Sequence, residues 1–224
     1  MSKPMKPSEE AFRLAKKPDE AYRSLLVEVY LSQAEMALSN RKFRDAKRIS
    51  QAALDEASPE DKETFVRASS VLGLAQAFSG EKTLGRMTCE KAVALANEIG
   101  DPVLLAKARL SLAEALPENG EKEEALRTVL QLQEGFAKRG QTASEWQVWT
   151  LAARTSGMEG QKVEYEERAA QMLSVLQQRW GAPGLSHIHR QTRYHVRYQS
   201  ANHVDEYKEI HPCQRKRSRS KAAH

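Results

Sequence analysis

The chain has 224 residues, enough for one large domain or two small ones around a real core, and 40% of them are hydrophobic, 29% charged and 6% aromatic. With only 11 glycines and 8 prolines, the composition argues against a sandwich or barrel of many short strands. The formal charge is +5, yet residues 181–224 carry nine Lys/Arg against three Asp/Glu and so hold all of the excess. No apolar run is long enough to span a membrane, and Met1–Ala21 lacks the apolar stretch of a signal peptide. Two cysteines, Cys89 and Cys213, make no disulfide framework. These features together predict a cytoplasmic, largely helical protein.

In chain order, Met1–Lys17 is polar and punctuated by Pro4 and Pro7, with at most a turn or two of helix around Glu9–Ala15, so residues 1–18 read as a lead-in. Apolar residues then recur at helical spacing, as in Leu104, Leu105, Ala108, Leu112 and Ala115. The pattern predicts eight helices, near 19–39, 41–57, 59–79, 82–99, 102–117, 121–139, 143–158 and 161–180. Gly80, Gly100, Gly120, Gly140 and Gly160 stand where a left-handed residue would stop a helix. Ser58-Pro59, Asp101-Pro102 and the Thr142/Glu145 capping box are the expected starts. A domain of residues 19–180 therefore ends at Trp180-Gly181. The tail beyond, 181–224, holds all six histidines and no leucine after Leu185, and its low apolar content predicts disorder.

Paired, the helices make four hairpins with a shared frame of small residues. The first helices carry Ala34, Gly73, Ala113 and Ala153; twelve residues later stand Ala46, Gly85, Ala125 and Tyr165; seven further on come Ala53, Ala92, Leu132 and Met172. A 39–40-residue period with small residues where helices meet is the mark of a solenoid. This frame resembles the tetratricopeptide repeat (TPR), in its longer variant of bacterial signalling and transcription regulators. Tyr30 and Trp149, four before the small residue, and the pair Leu72-Gly73 match its pattern, whereas Gly85, Tyr165 and Met172 depart from it. The resemblance implies a right-handed α-solenoid that binds a peptide or helix of another protein in a concave groove, such as the sensor or scaffold arm of a larger regulator.

An enzyme is not expected. Residues 1–186 contain no histidine, the commonest general base and metal ligand, and the sequence holds no HExxH, CxxC, GxSxG or GxGxxG. Gly80-Glu81-Lys82-Thr83 departs from a phosphate-binding loop by its extra Glu and reads as a connection between helices. Cys89 is expected in the core, as are Trp146, Trp149 and Trp180, and neither a cofactor nor a metal is implied. If Ala34 and its equivalents occupy the eighth place of the repeat, the TPR resemblance places Glu28, Arg67, Lys107 and Gln147 in the groove. With them come Leu31, Ser70, Leu110 and Thr150, then Glu35, Leu74, Glu114 and Arg154, with Arg67, Lys107 and Arg154 as cationic anchors for a partner segment.

The tail admits three readings. Arg215, Lys216, Arg217, Arg219 and Lys221, with Tyr194, Tyr198 and Tyr207 upstream, would bind nucleic acid weakly, the alternative function for the whole chain. The histidines and Cys213 have irregular spacing for a metal site. The favoured reading is an out-of-frame product: codons for His187–Tyr194, shifted by one nucleotide, can spell Thr-Tyr-Ile-Ala-Arg-Pro-Asp. That contains the Tyr-x-x-Arg-Pro-Asp element that follows Trp-Gly in similar bacterial TPR chains.

Overall fold

The computed structural model describes residues 20–184, with side chains from Tyr22 to Arg179. The expectations for residues 1–18, for the tail beyond Gly184 and for the Trp180 side chain lie outside the described residues. Within them the chain is all-α: α1 (Glu20–Ser39), α2 (Phe43–Glu56), α3 (Lys62–Phe78), α4 (Lys82–Ile99), α5 (Pro102–Ala115), α6 (Lys122–Lys138), α7 (Thr142–Thr155) and α8 (Glu159–Gly184). No strand occurs among the described residues.

The helix ends follow local chemistry. Gly80, Gly100, Gly120 and Gly140 have φ of 97°, 77°, 87° and 63°, so each connection turns through the left-handed region that an L side chain resists. Asp101 caps α5 by accepting from the amides of Val103 (2.7 Å) and Leu104 (3.2 Å), with Pro102 in the first turn.

Other ends depart from expectation. Gly160 is no stop: it lies inside α8, and α7 ends at extended Ser156 instead. Ser58-Pro59 does not start α3, which begins three residues later because Asp61 accepts from the Thr64 amide at 3.1 Å. Thr142 is already helical, with Gln141 in the capping place and no side-chain cap there, so the Thr142/Glu145 box does not form. Pro117 lacks the N–H that would continue α5, and Leu116–Asn119 tightens into a 3-10 turn. At the far end α8 passes Gly181; one glycine costs a helix only about 1 kcal/mol.

Each helix packs on the next in sequence, and α3 also touches both α1 and α5. Ion pairs repeat with the period of the sequence. Lys47 of α2 meets Glu81 at the start of α4, and 39 residues on, Arg86 of α4 meets Glu121 before α6 at 2.9 Å. The small-residue frame is buried at every place except Met172, which is only partly covered. It is tightest between α3 and α4. A Cβ on Gly85 would lie 2.4 Å from the Ala77 backbone nitrogen, and one on Gly73 2.5 Å from the Cys89 sulfur. Where the frame departs to Tyr165, the ring stacks on Trp149 with centroids 5.7 Å apart, and Arg168 lies 4.6 Å from the Trp149 ring centre. Trp146 and Trp149 thus belong to the largest apolar cluster, with Phe136, Val148 and Leu176.

Candidate functional site

Side chains of α1, α3, α5 and α7 enclose a groove of about 590 Å³. It exists because these helices carry the same register: the spacing of 39 and 40 residues places one turn of each beside the equivalent turn of the next. The bond between Glu28 and Arg67 is direct evidence of that alignment. The Arg67 guanidinium donates to both carboxylate oxygens of Glu28, at 2.7 and 3.2 Å, across 39 residues of sequence.

Eight of the residues expected in a groove line it: Glu35, Arg67, Ser70, Lys107, Glu114 and Gln147, with Leu74 and Leu110 forming apolar floor. Glu28 stands beside it as the partner of Arg67, and Arg154 acts on the groove through its charge on Glu114. Leu31 is fully buried and so is closed to any partner. The hydroxyls of Ser70 and Thr150 are taken up by their own helices. Ser70 donates to the Val66 carbonyl at 2.8 Å, and Thr150 to the Trp146 carbonyl at 2.8 Å.

The electrostatics differ from a set of cationic anchors. Burial opposes the charge on Arg67, but the Glu28 hydrogen bond and the nearby Glu35 and Glu63 outweigh it and hold the guanidinium above its ordinary pKa. Arg67 is therefore committed to its own neighbours. Burial pushes the half-covered Glu114 carboxyl above the usual carboxylate value, with Arg154 pulling the other way. Lys107 is exposed and forms no ion pair among the described residues. Charged groups on the lining are Glu35, Glu63, Asp101 and Glu114 against Arg67 and Lys107, an acidic balance.

Glu63 and Asp101 are the charged lining residues that repeat positions alone overlook. Glu63 lies one turn before Arg67 on the same face, so a step of four residues back from the second place would have reached it. Asp101 enters through its capping role. Elsewhere, Gly80 and Glu81 form the connection, with Glu81 held by Lys47, while Lys82 and Thr83 already open α4. Cys89 is fully buried, and that burial pushes its thiol up to about 12. Among the described residues no group of three His, Cys, Asp or Glu side chains is arranged for a metal ion, and no helix is long and apolar enough to cross a membrane. The basic cluster Arg215–Lys221 lies outside the described residues.

The sequence matches no protein-family model and no curated protein. Among solved structures the chain is similar to the crystal structure of BtubC (BKLC) from P. vanneervenii, with a TM-score of 0.57 and 18% identity. The match covers 96% of this chain and 93% of that one. At this identity the likeness concerns the fold.

Proposed function

We propose that the chain is a TPR-like α-solenoid of four hairpins that binds another protein, holding a peptide or helical segment of it in the groove of α1, α3, α5 and α7, and that it carries out no chemistry of its own. The fold part is supported by the buried small-residue frame and by ion pairs that recur with the sequence period. The binding part rests on one observation: an apolar floor at Leu74 and Leu110 flanked by charged groups that the ion pairs of the fold do not take up. Asp101 is spent on the α5 cap and Arg67 on Glu28. Glu35 and Glu63 form no ion pair among the described residues; with Glu114 facing the charge of Arg154, that leaves two acidic groups against Lys107. A segment with an apolar side chain for the floor and a Lys or Arg beside it complements this surface.

The test is selection of a phage-displayed random peptide library on the full chain. Recovered peptides are expected to combine apolar and basic residues. They should bind the Glu35→Lys/Glu63→Lys double variant about tenfold or more weaker, roughly 1.4 kcal/mol. Equal binding to a double variant of unchanged helicity, or selection of acidic peptides, overturns the reading.

A further inference from the structure

Helix α1 is apolar on two faces. One, with Val27, Leu31 and Ala34, is buried against its neighbours. On the other, Tyr22 is 60% exposed, Leu25 64%, Val29 41% and Met36 57%. At about 100° per residue these four side chains fall within roughly 60° of one another, across the helix from Leu31. The stripe runs about 21 Å from Tyr22 to Met36. Ser32 and Gln33, which complete it, are exposed and uncharged. An apolar stripe left open to water in this way marks a docking surface.

The charges at its two ends have opposite sign. Past Met36 the chain turns into α2 through Arg41, Lys42 and Arg44, with Arg48 one turn further, all of them exposed. The Asn40 amide donates to the Met36 carbonyl at 3.0 Å and keeps this basic turn beside that end of the stripe. At the other end, Asp55, Glu56, Glu60 and Asp61 share a cleft with Arg23, Ser24 and Val27 of α1. Each cluster holds one opposing charge, Asp45 in the first and Arg23 in the second, which leaves the net signs unchanged. Lys42, Arg44, Arg48, Asp55 and Glu56 form no ion pair among the described residues. The basic turn is not a property of the repeat either. The places of Lys42 and Arg44 go to Glu81 and Thr83 one repeat on, and to Glu121 and Glu123 two repeats on.

An occupant of this face must be apolar in the middle, acidic where α1 ends and basic where α1 begins. Helix α1 with its own flanks, run in the opposite direction, has that pattern. We propose that two copies of the chain associate here, α1 packed antiparallel on α1 about a two-fold axis at Val29. Each residue then meets the one placed symmetrically about Val29, so Tyr22 lies against Met36 of the second copy and Val29 against its own equivalent. The basic turn of each copy faces the acidic cleft of the other, and this happens twice. Parallel packing would set like charges together, so the charges select the orientation. One helix face per chain is at the small end of protein interfaces, which makes the association reversible and micromolar. None of the four stripe residues lines the groove, so this contact stands apart from whatever the groove binds.

Sedimentation equilibrium of the full chain tests it, with charge reversal at each end. The parent is expected to dimerise as concentration rises, and less so at high salt. Lys42→Glu/Arg44→Glu and Asp55→Lys/Glu56→Lys each invert one cluster, and each should weaken self-association about tenfold or more. Mixed in equal amounts, the two variants should pair with each other and recover most of the lost affinity, because opposite charges again meet at both ends. The fold tolerates both changes: Glu121 and Glu123 already stand at the first two places, and lysines suit a helix C-terminus. Disulfide formation reads the register, in a Cys213→Ser background with Cys89 buried in the core. A disulfide needs Cα atoms within about 7 Å, so Val29→Cys should link to itself about tenfold faster than Met36→Cys, although Met36 is the more exposed. A parent that stays monomeric up to submillimolar concentration overturns the proposal. So do dimers indifferent to both reversals, a mixture that restores nothing, or faster linkage at Met36.

Discussion

At the residue scale, the titration of Glu114 couples the groove to stability. Its carboxyl is half-covered and pushed above the ordinary value by burial, with Arg154 opposing. The native state therefore holds a proton on Glu114 at pH values where the unfolded chain has released it. Stability from this group is present below the unfolded pKa and is lost as pH rises through the folded one. Glu114→Gln removes that loss, so unfolding free energy measured in urea between about pH 4 and 7 should decline less steeply for the variant than for the parent. Superimposable pH profiles would mean that Arg154 offsets the burial completely. Residue types at the groove were legible because the repeat numbering is regular. Their state was not: nothing in one-dimensional spacing reveals that Arg67 is bound by Glu28 or that Ser70 bonds its own helix.

At the element scale, the α3–α4 pair shows why a departure from the pattern can be a packing solution. Gly73 and Gly85 face each other where the other hairpins have alanine or a larger residue, and the two backbones close into the vacated space. Replacing Gly85 by Ala favours the isolated helix by about 1 kcal/mol. In the fold the new methyl would meet backbone atoms of Ala77 and Gly73 at 2.4–2.5 Å, and helices must part to admit it. The expected net effect is destabilisation of about 1–3 kcal/mol, read as a lower urea midpoint with unchanged slope. A variant as stable as the parent would show that α4 slides freely along α3. The helices themselves were readable from period and composition, and the missed boundaries have local causes. Asp61 outcompetes Ser58 as a cap, Pro117 cuts α5 short, and Gly160 is a tolerated residue in a first turn.

At the scale of the molecule, apolar volume is unevenly distributed along the array. The α1–α2 and α2–α3 junctions rest largely on alanines with Val27 and Leu31, whereas α5 to α8 share a cluster with two tryptophans and Phe136. In a structure of nearest-neighbour contacts, local stability follows local burial. Hydrogen exchange is therefore expected to be fastest in α1 and α2 and slowest in α6 and α7. Trp149→Ala should reverse much of that gradient, since removing a buried tryptophan costs about 3–5 kcal/mol. Uniform exchange from α1 to α8 would instead indicate a single cooperative unit.

The sequence by itself determined the all-helical class, the 39–40-residue period and the small residues at helix contacts, because each is written in spacing along one chain. Helical periodicity, glycines with positive φ and alanines at crossing points are local or strictly repeating properties. Tertiary structure alone decided which charges are spent and how closely α3 approaches α4. Those depend on distances between segments some 40 residues apart, where a bond or a contact belongs to two helices and to neither one's sequence.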